Sequence, residues 1–178
     1  MRCVSIGGEP ATGKTTLMRE LIKNLEQPQN FRFSLCQGHF STVNNIAIMG
    51  IYDGRGTFEG TDRLSMAVNA DFLAYVETAR RNIMFEGDRL FNAKNLNFIN
   101  SFYEQRIIVL QQSEETLHQR HLERNDTQTE KFLKGRKTKI ANILADDLLQ
   151  IETYQLNDIG DTISLSDNIW SWITHDTK

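Results

Sequence analysis

The chain has few of the residues that mark secreted, membrane-spanning or multidomain proteins. Its only two cysteines, Cys3 and Cys36, make no disulfide framework, so we expect both to be buried, reduced thiols. No apolar run approaches the roughly 20 residues of a membrane helix, and the N-terminus lacks the apolar segment of a signal peptide. Two prolines form no linker. These absences predict one cytoplasmic domain over residues 1–178, with no membrane partner.

An excess of charge of one sign is also missing. Twenty lysines and arginines stand against 23 aspartates and glutamates, which gives a net charge of −3. The composition as a whole therefore gives no sign of nucleic-acid binding, and such a function would need a local basic patch. The length of 178 residues is enough for one domain with a sizeable core.

One short stretch near the N-terminus carries a specific signal. Residues 8–15 read Gly-Glu-Pro-Ala-Thr-Gly-Lys-Thr, which fits the G-x-x-x-x-G-K-[ST] phosphate-binding loop. The glycines let successive backbone N–H groups surround phosphate oxygens, Lys14 would reach the β- and γ-phosphates, and the Thr15 hydroxyl would bind Mg²⁺. A strand-like run precedes the loop and a helical pattern follows it, as the motif requires. The sequence predicts that ATP and Mg²⁺ are bound here, through Gly8, Glu9, Pro10, Ala11, Thr12, Gly13, Lys14, Thr15 and Thr16.

Strand-like and helix-like patterns alternate along the chain. This alternation predicts an α/β fold, in which a parallel sheet of the P-loop NTPase or kinase type is flanked by helices, with a helical lid. The predicted strands are 2–6, 31–36, 46–52, 82–85, 106–110 and 161–165, and residues 37–45 are predicted to be a loop. The predicted helices are about 13–26, 61–79, 89–103, 113–124, 127–154 and 169–173.

Charged residues follow the predicted strands where ligands bind in such folds, at the carboxyl ends. Phosphoryl transfer uses one carboxylate as base, another to hold Mg²⁺, and arginines to neutralise the transferred group. We expect Glu86 to bind Mg²⁺ together with Thr15. Spacing does not choose the base among Asp53, Asp62 and Asp88, and each could instead be a solvated loop charge. The predicted catalytic residues are Lys14, Asp53, Asp62, Arg63, Asp88 and Arg89.

A basic block lies between His118 and Lys139, where seven lysines and arginines face three carboxylates. The block has three interpretations: a lid that closes over the triphosphate, a contact for nucleic-acid phosphates, or a solvated helix face. Gly135 interrupts the helical pattern, which weakens the third interpretation. As a lid, the block would bring Arg120 and Arg124 to ATP.

Four segments, in this order, resemble those of phage-encoded P-loop kinases. They are residues 8–16, Gly-Thr-Asp-Arg-Leu-Ser-Met at 60–66, Phe-Glu-Gly-Asp-Arg-Leu at 85–90 and Gly-Arg-Lys-Thr-Lys at 135–139. The resemblance is to the kinases that phosphorylate 5-hydroxymethyluracil in phage DNA, during thymine hypermodification. It covers nearly the whole chain, although the first segment alone identifies only the superfamily.

This resemblance implies ATP as donor, a base hydroxymethyl group as acceptor, and DNA containing a modified pyrimidine as partner. An acceptor base in duplex DNA would have to be flipped out of the stack, and His39, Phe40 and Phe58 are candidates to receive it. The predicted acceptor and DNA contacts are His39, Arg55, Arg136 and Lys139.

Two other functions remain open at the level of the sequence. The chain could phosphorylate a free nucleoside, nucleotide or other small hydroxyl compound, or it could be a nucleotide-hydrolysing switch without an acceptor. Several arginines after strand ends favour a kinase over a switch. Neither the choice between ATP and GTP nor the oligomeric state can be read from the residues.

Overall fold

The computed structural model describes residues 1–55, 58–123 and 129–175. Seven strands form one sheet, in the spatial order β2-β3-β4-β5-β1-β6-β7. The strands are β1 Arg2–Gly8, β2 Gln29–Phe33, β3 Cys36–Ser41, β4 Ile46–Met49, β5 Asn82–Glu86, β6 Glu104–Gln111 and β7 Ile151–Gln155. The helices are α1 Lys14–Lys23, α2 Asn69–Thr78, α3 Ala93–Asn100, α4 Glu114–Glu123, α5 Glu130–Leu144 and α6 Ile159–Thr174, with a 3₁₀ turn at Thr61–Arg63.

The sheet is mostly parallel, and its central strand is the one that leads into the phosphate-binding loop. β1 pairs in parallel with β5 on one side and with β6 on the other, and β4 and β7 extend the parallel sheet outward. β3 alone runs opposite to the other six strands of this sheet, pairing antiparallel with β2 and with β4. The predicted class, a parallel sheet flanked by helices with the phosphate loop between β1 and α1, is confirmed.

Apolar side chains cover both faces of the sheet, as expected for parallel strands. On one face, Ile6 and Ile108 pack with Leu17 of α1 and Ile169 of α6. The other face packs against α2, α3 and α5. Cys3 and Cys36 are buried and free of disulfides, as predicted.

The prediction of a loop at residues 37–45 is wrong, because β3 runs from Cys36 to Ser41 and pairs with β2 and β4. Its polar residues and its glycine hide the strand from a hydrophobicity pattern. Gly38 is required by close packing, since a Cβ atom there would lie 2.0 Å from the carbonyl oxygen of Ile48. β2, β3 and β4 therefore form an antiparallel meander.

Two predictions near the C-terminus are also wrong. The helix predicted to reach residue 154 ends at Leu144, and the last strand is β7, which pairs with β6. The strand predicted at 161–165 lies within α6, which begins after Asp158 caps the N–H of Asp161. The sequence missed β7 because this edge strand has partly exposed residues, which give only a weak alternation of apolar and polar side chains.

Gly135 does not interrupt α5, which continues from Glu130 to Leu144. This corrects the sequence argument that the glycine weakens the interpretation of the basic block as a helix face. Among the described residues, no helix is both long and apolar enough to cross a bilayer.

At the amino ends of β1, β6 and β7, charged and aromatic side chains form a group that we call the amino-end cluster. It comprises Arg2, Glu104, Arg106, Glu152 and Trp172. Arg2 bonds Glu104 at 3.0 Å, and Arg106 forms a two-contact ion pair with Glu152. Both guanidinium groups stack over the ring of Trp172, at 5.0 and 5.6 Å. The cluster ties the strands to the last helix at the end of the sheet opposite the phosphate loop.

Candidate active site

The loop between β1 and α1 has the curled backbone that phosphate binding requires. Gly8 and Gly13 have positive φ angles, and so does Ala11 at 65°, a conformation that costs an alanine energy and is typical of functional sites. The Lys14 ammonium lies against the loop, where it donates to the carbonyls of Gly8 at 2.8 Å and Glu9 at 2.7 Å. α1 begins at Lys14 with no acidic residue in its first turn. The positive end of the helix therefore faces the loop without an acidic residue of its own first turn to oppose it, which favours phosphate binding.

Thr15 and Glu86 lie together at the ends of neighbouring elements. Thr15 Oγ1 donates to Glu86 Oε1 at 3.2 Å, and Glu86, the last residue of β5, is only 2% exposed. Burial raises the pKa of the Glu86 carboxyl to about 7, although the charge of nearby Lys14 acts in the opposite direction. A bound cation would favour the ionised carboxylate.

This pair of oxygen ligands fits Mg²⁺, which proteins usually hold with one or two carboxylates, water and the phosphates of a nucleotide. In the described part of the chain, no group of three or more His, Cys, Asp or Glu side chains could hold a metal ion alone. The donor set thus fits a cation that binds together with a nucleotide.

Asp62 is held in place by backbone contacts. The backbone N–H of Arg89 donates to Asp62 Oδ1 at 2.9 Å, and Arg89 Nη2 donates to the Asp62 carbonyl at 2.7 Å. Thr61 adds a hydrogen bond of 2.8 Å to the Glu86 carbonyl. Gly87 makes this approach possible, since a Cβ atom there would lie 2.7 Å from Thr61 Oγ1. The 3₁₀ turn that carries Asp62 is therefore fastened to the end of β5.

Asp88 meets the basic block. Arg136 Nε lies 3.0 Å from Asp88 Oδ2, and Lys139 donates to the Asp88 carbonyl at 2.6 Å. Burial raises the pKa of the Asp88 carboxyl, while Arg136 lowers it. Arg136 and Lys139 are half-buried, whereas Lys131 and Lys134 on the same helix are exposed. The block is thus divided between an inner face at the site and an outer face in solvent.

These groups share one cavity of about 500 Å³, which we call the carboxyl-end pocket because it opens at the carboxyl ends of β1 and β5. Its rim is apolar: Phe58 is 48%, Phe132 37% and Met66 84% exposed, and all three line the cavity. Of the predicted site residues, the lining includes Pro10, Ala11, Gly13, Lys14 and Thr15 from the phosphate loop, and Asp62, Glu86, Asp88, Arg89 and Arg136 from elsewhere.

Asp53, Arg55 and Arg63 are not among the residues that line the pocket. β4 ends at Met49, and Gly50 turns the chain with a φ of 117°, so Asp53 does not directly follow the strand as the sequence suggested. Asp53 forms an ion pair with Arg63 and accepts the backbone N–H of Arg55 at 3.0 Å. The predicted catalytic roles of Asp53 and Arg63 and the acceptor role of Arg55 stay predictions without geometric support.

The other predicted contacts differ in their relation to the phosphate loop. Arg120 of α4 touches it, donating to the Ala11 carbonyl at 3.0 Å, which suits the predicted contact with ATP. Thr16 is exposed on α1. His39 lies on β3 beside Tyr52, with ring centroids 6.5 Å apart, and burial lowers its pKa. Arg124 lies outside the described residues.

Sequence reasoning missed Glu59 as a site residue. Glu59 lines the pocket and is 7% exposed, and it forms an ion pair with Arg19 of α1 at 2.9 Å. It stands in a glycine-rich stretch with no strand pattern of its own. Its partner is 40 positions away in the sequence, so no spacing rule could have identified the pair.

No protein-family model matches the chain, and no curated protein matches it. Among solved structures, one that is similar is the shikimate kinase from Acinetobacter baumannii in complex with shikimate. It shares 18% identity with this chain, with a TM-score of 0.48, and the match covers 96% of this chain and 92% of that one. These comparisons identify no kinase that acts on 5-hydroxymethyluracil in DNA, so that resemblance stays a prediction.

Proposed function

We propose that this chain is an ATP-dependent kinase that transfers the γ-phosphoryl group to a hydroxyl of a small acceptor bound in the carboxyl-end pocket. The observation that carries the proposal is that Lys14 and Thr15 share one cavity with Asp62, Asp88 and Arg89. A donor site and a set of acid–base and cationic groups are thus within one space. A volume of about 500 Å³ lies in the range of small-molecule sites.

The nucleotide would be held by the phosphate loop and by the first turn of α1, with Lys14 at the β- and γ-phosphates. Thr15 and Glu86 would hold Mg²⁺. When bound, Mg²⁺ supplies charge neutralisation and orientation of the phosphates. Arg120 already contacts the loop backbone, and it would reach the nucleotide from α4.

Asp62 is the best candidate for the base that takes the proton from the acceptor hydroxyl. Of the three carboxylates proposed from the sequence, Asp53 is paired with Arg63 and does not line the pocket, and Asp88 is paired with Arg136. Asp62 lines the pocket, and its carboxylate is oriented by the backbone N–H of Arg89 rather than by a salt bridge of the kind that holds Asp53 and Asp88. Arg89 and Arg136 would then neutralise charge on the transferred group.

The inner face of α5 supports the choice of a small acceptor. Arg136 and Lys139, which the sequence suggested as DNA contacts, reach inward to Asp88, and Arg136 and Asp88 line the pocket. A hydroxymethyl base in DNA is the second candidate, and the observation that favours it is the exposure of Lys131 and Lys134 along the same helix. Such lysines could meet backbone phosphates.

The decisive experiment measures transfer of γ-labelled phosphate from ATP and Mg²⁺ to several acceptors in parallel. The acceptors are free nucleosides, nucleotides, a panel of small hydroxyl metabolites, DNA containing 5-hydroxymethyluracil, and the same DNA with thymine. Label in a small acceptor supports the proposal, and label only in the modified DNA favours the second candidate. Hydrolysis without transfer to any acceptor contradicts both.

The Lys14→Ala variant tests whether the phosphate loop carries this activity. We expect a loss of at least about 10²-fold, the effect of removing one preorganised charge-stabilising group. Lys23→Ala is the matched control, since Lys23 is an exposed lysine on the same helix. Full activity of Lys14→Ala would contradict the proposed function.

A further inference from the structure

The carboxyl-end pocket contains one carboxylate for which the proposed reaction has no use. The Glu59 side chain is only 4% exposed, and both of its oxygens face the Arg19 guanidinium: Arg19 Nη2 lies 2.9 Å from Oε1, and Arg19 Nε donates to Oε2 at 3.0 Å. Such two-contact pairs are the most directional that arginine forms. The pair therefore fixes the orientation of Glu59 as well as its position.

Glu59 also holds the backbone around it. Its Oε1 accepts the N–H of Gly54 at 2.7 Å. The following residue, Gly60, exchanges two backbone hydrogen bonds with Ile51, at 3.0 and 3.1 Å. The Glu59 carboxylate thus joins the Gly54 backbone to the Arg19 side chain, in a segment that the Gly60–Ile51 pairing closes. Phe58, which lines the pocket, is the immediate neighbour of Glu59.

The other partner belongs to the helix that begins at the phosphate loop. Arg19 is four positions after Thr15 on α1, so the two side chains lie on the same face of the helix. The Arg19–Glu59 pair therefore joins the donor side of the pocket, at α1, to the rim that carries Phe58. If Arg19 were removed, a buried carboxylate would be left without its cation, and it would be expected to move toward water.

We propose that Arg19 is a positioning residue for the acceptor, which acts through Glu59 to hold Phe58 at the rim of the carboxyl-end pocket. This inference rests on the proposed function. The hydrogen bonds and ion pair of the Arg19 side chain go to Glu59, and none goes to Thr15 or Glu86. Its removal is therefore expected to alter acceptor binding more than nucleotide affinity.

The test compares Arg19→Gln and Arg19→Lys with Lys23→Gln, a control at an exposed lysine one turn further along the same helix. We expect Arg19→Gln to raise the acceptor KM about 10-fold, the size of effect that loss of a charge-assisted pair produces. The dissociation constant of ATP should stay within about twofold. Arg19→Lys, which keeps the charge and loses the paired geometry, should restore part of the KM effect, and Lys23→Gln should behave as the wild type.

A double-mutant cycle then assigns the effect to the pair. In a Glu59→Gln background, Arg19→Gln should add little to the acceptor KM, because the partner is already lost. The inference is overturned if Arg19→Gln changes ATP affinity as much as acceptor KM, or if it has the same effect in the presence and absence of Glu59.

A readout that needs no catalysis separates this inference from the proposed function. Hydrogen exchange at the amides of Gly54 and Gly60 should be faster in Arg19→Gln than in the wild type, and unchanged in Lys23→Gln. If the wild type transfers no phosphate, the proposed function fails, and this measurement still reports whether Arg19 holds the Glu59 segment. Unchanged exchange in Arg19→Gln would contradict the inference in either case.

Discussion

The two ends of the sheet use charged residues in opposite ways. In the amino-end cluster, each guanidinium meets a carboxylate and stacks on Trp172. In the carboxyl-end pocket, acidic groups crowd together: Asp62 and Asp88 both add to the raised pKa of Glu86. The charges at the amino end are thus matched among themselves. The pocket also holds Asp88 and Glu59 in ion pairs, but it leaves Glu86 as a buried carboxylate that would gain from a bound cation.

This difference indicates which end is built for stability and which for binding. Matched pairs of partly buried groups contribute to folding when their partners remain in place. Crowded carboxylates and a strained residue such as Ala11 cost folding energy, and such features concentrate where ligands bind. Changes at the pocket should therefore alter activity with little loss of stability, and changes at the cluster should do the reverse.

The largest effect should come from Asp62→Asn in the pocket. It removes the proposed base and keeps an oxygen that can accept the Arg89 N–H, so we expect phosphoryl transfer to fall by about 10²–10⁴-fold with little change in stability. Asp53→Asn is the matched control, since Asp53 lies outside the pocket in a partly exposed ion pair, and its rate should change by less than about threefold. Equal losses of activity in the two variants would contradict the choice of Asp62 as the base on the ground that it lines the pocket.

The second largest effect should come from a substitution in the amino-end cluster. Arg106→Ala removes the hydrogen bonds to Glu152 and Asn168 and the stacking on Trp172. We expect the free energy of unfolding to fall by about 2 kcal/mol. Urea denaturation measures this loss, and the kinetic constants at a temperature well below the transition should stay at wild-type values. An Arg106→Ala variant with normal stability and impaired kinetics would contradict the assignment of the amino-end cluster to stability.

Acid should expose the contribution of the same cluster. Hydrogen bonding from Arg106 lowers the pKa of the Glu152 carboxyl in the folded protein. A lowered folded pKa gives stability that is fully present above the unfolded value, near 4.5, and that is lost as the pH falls through the folded pKa. Unfolding free energies measured from pH 7 downward should therefore fall more steeply below that value in the wild type than in Glu152→Gln. Parallel pH curves for the wild type and Glu152→Gln would contradict a stabilising Arg106–Glu152 pair.

The smallest effect should come from Gly135→Ala on α5, beside the pocket. The glycine lies within the helix, and an added Cβ atom would meet nothing within 4 Å. Alanine should raise the free energy of unfolding by about 0.5–1 kcal/mol, because it restricts the unfolded chain and favours helix. Acceptor KM should not change, and a rise would mean that α5 must bend for the acceptor to enter.

The sequence predicted those parts of the fold in which local pattern and buried environment agree. The phosphate loop, β5 with its continuous apolar residues and the carboxylate that ends it were all found from spacing and strand ends. β3 and β7 were missed because polar residues interrupt their apolar alternation, and pairing with neighbouring strands decides their structure.

For the site, sequence reasoning predicted more charged residues than the pocket contains. Asp62 and Asp53 look alike in the sequence. Asp62 lines the pocket because hydrogen bonds fasten its turn to Glu86 and Arg89, whereas Asp53 pairs with Arg63 and does not line it. Glu59 shows the converse. Its importance comes from Arg19, a partner brought near by the fold, and no property of its own neighbours indicates that contact.

The strand order also has a consequence for synthesis on the ribosome. β1 is made before both of its neighbours, which are residues 82–86 and 104–111. A nascent chain that has not reached β6 therefore keeps one edge of its central strand unpaired, and the long separation between partners makes pairing slow. The phosphate loop follows directly after that strand. The nucleotide site is therefore complete only after β6, which ends at residue 111 of 178, has been synthesised. Fragments that end before β6 should accumulate as aggregates or depend on chaperones.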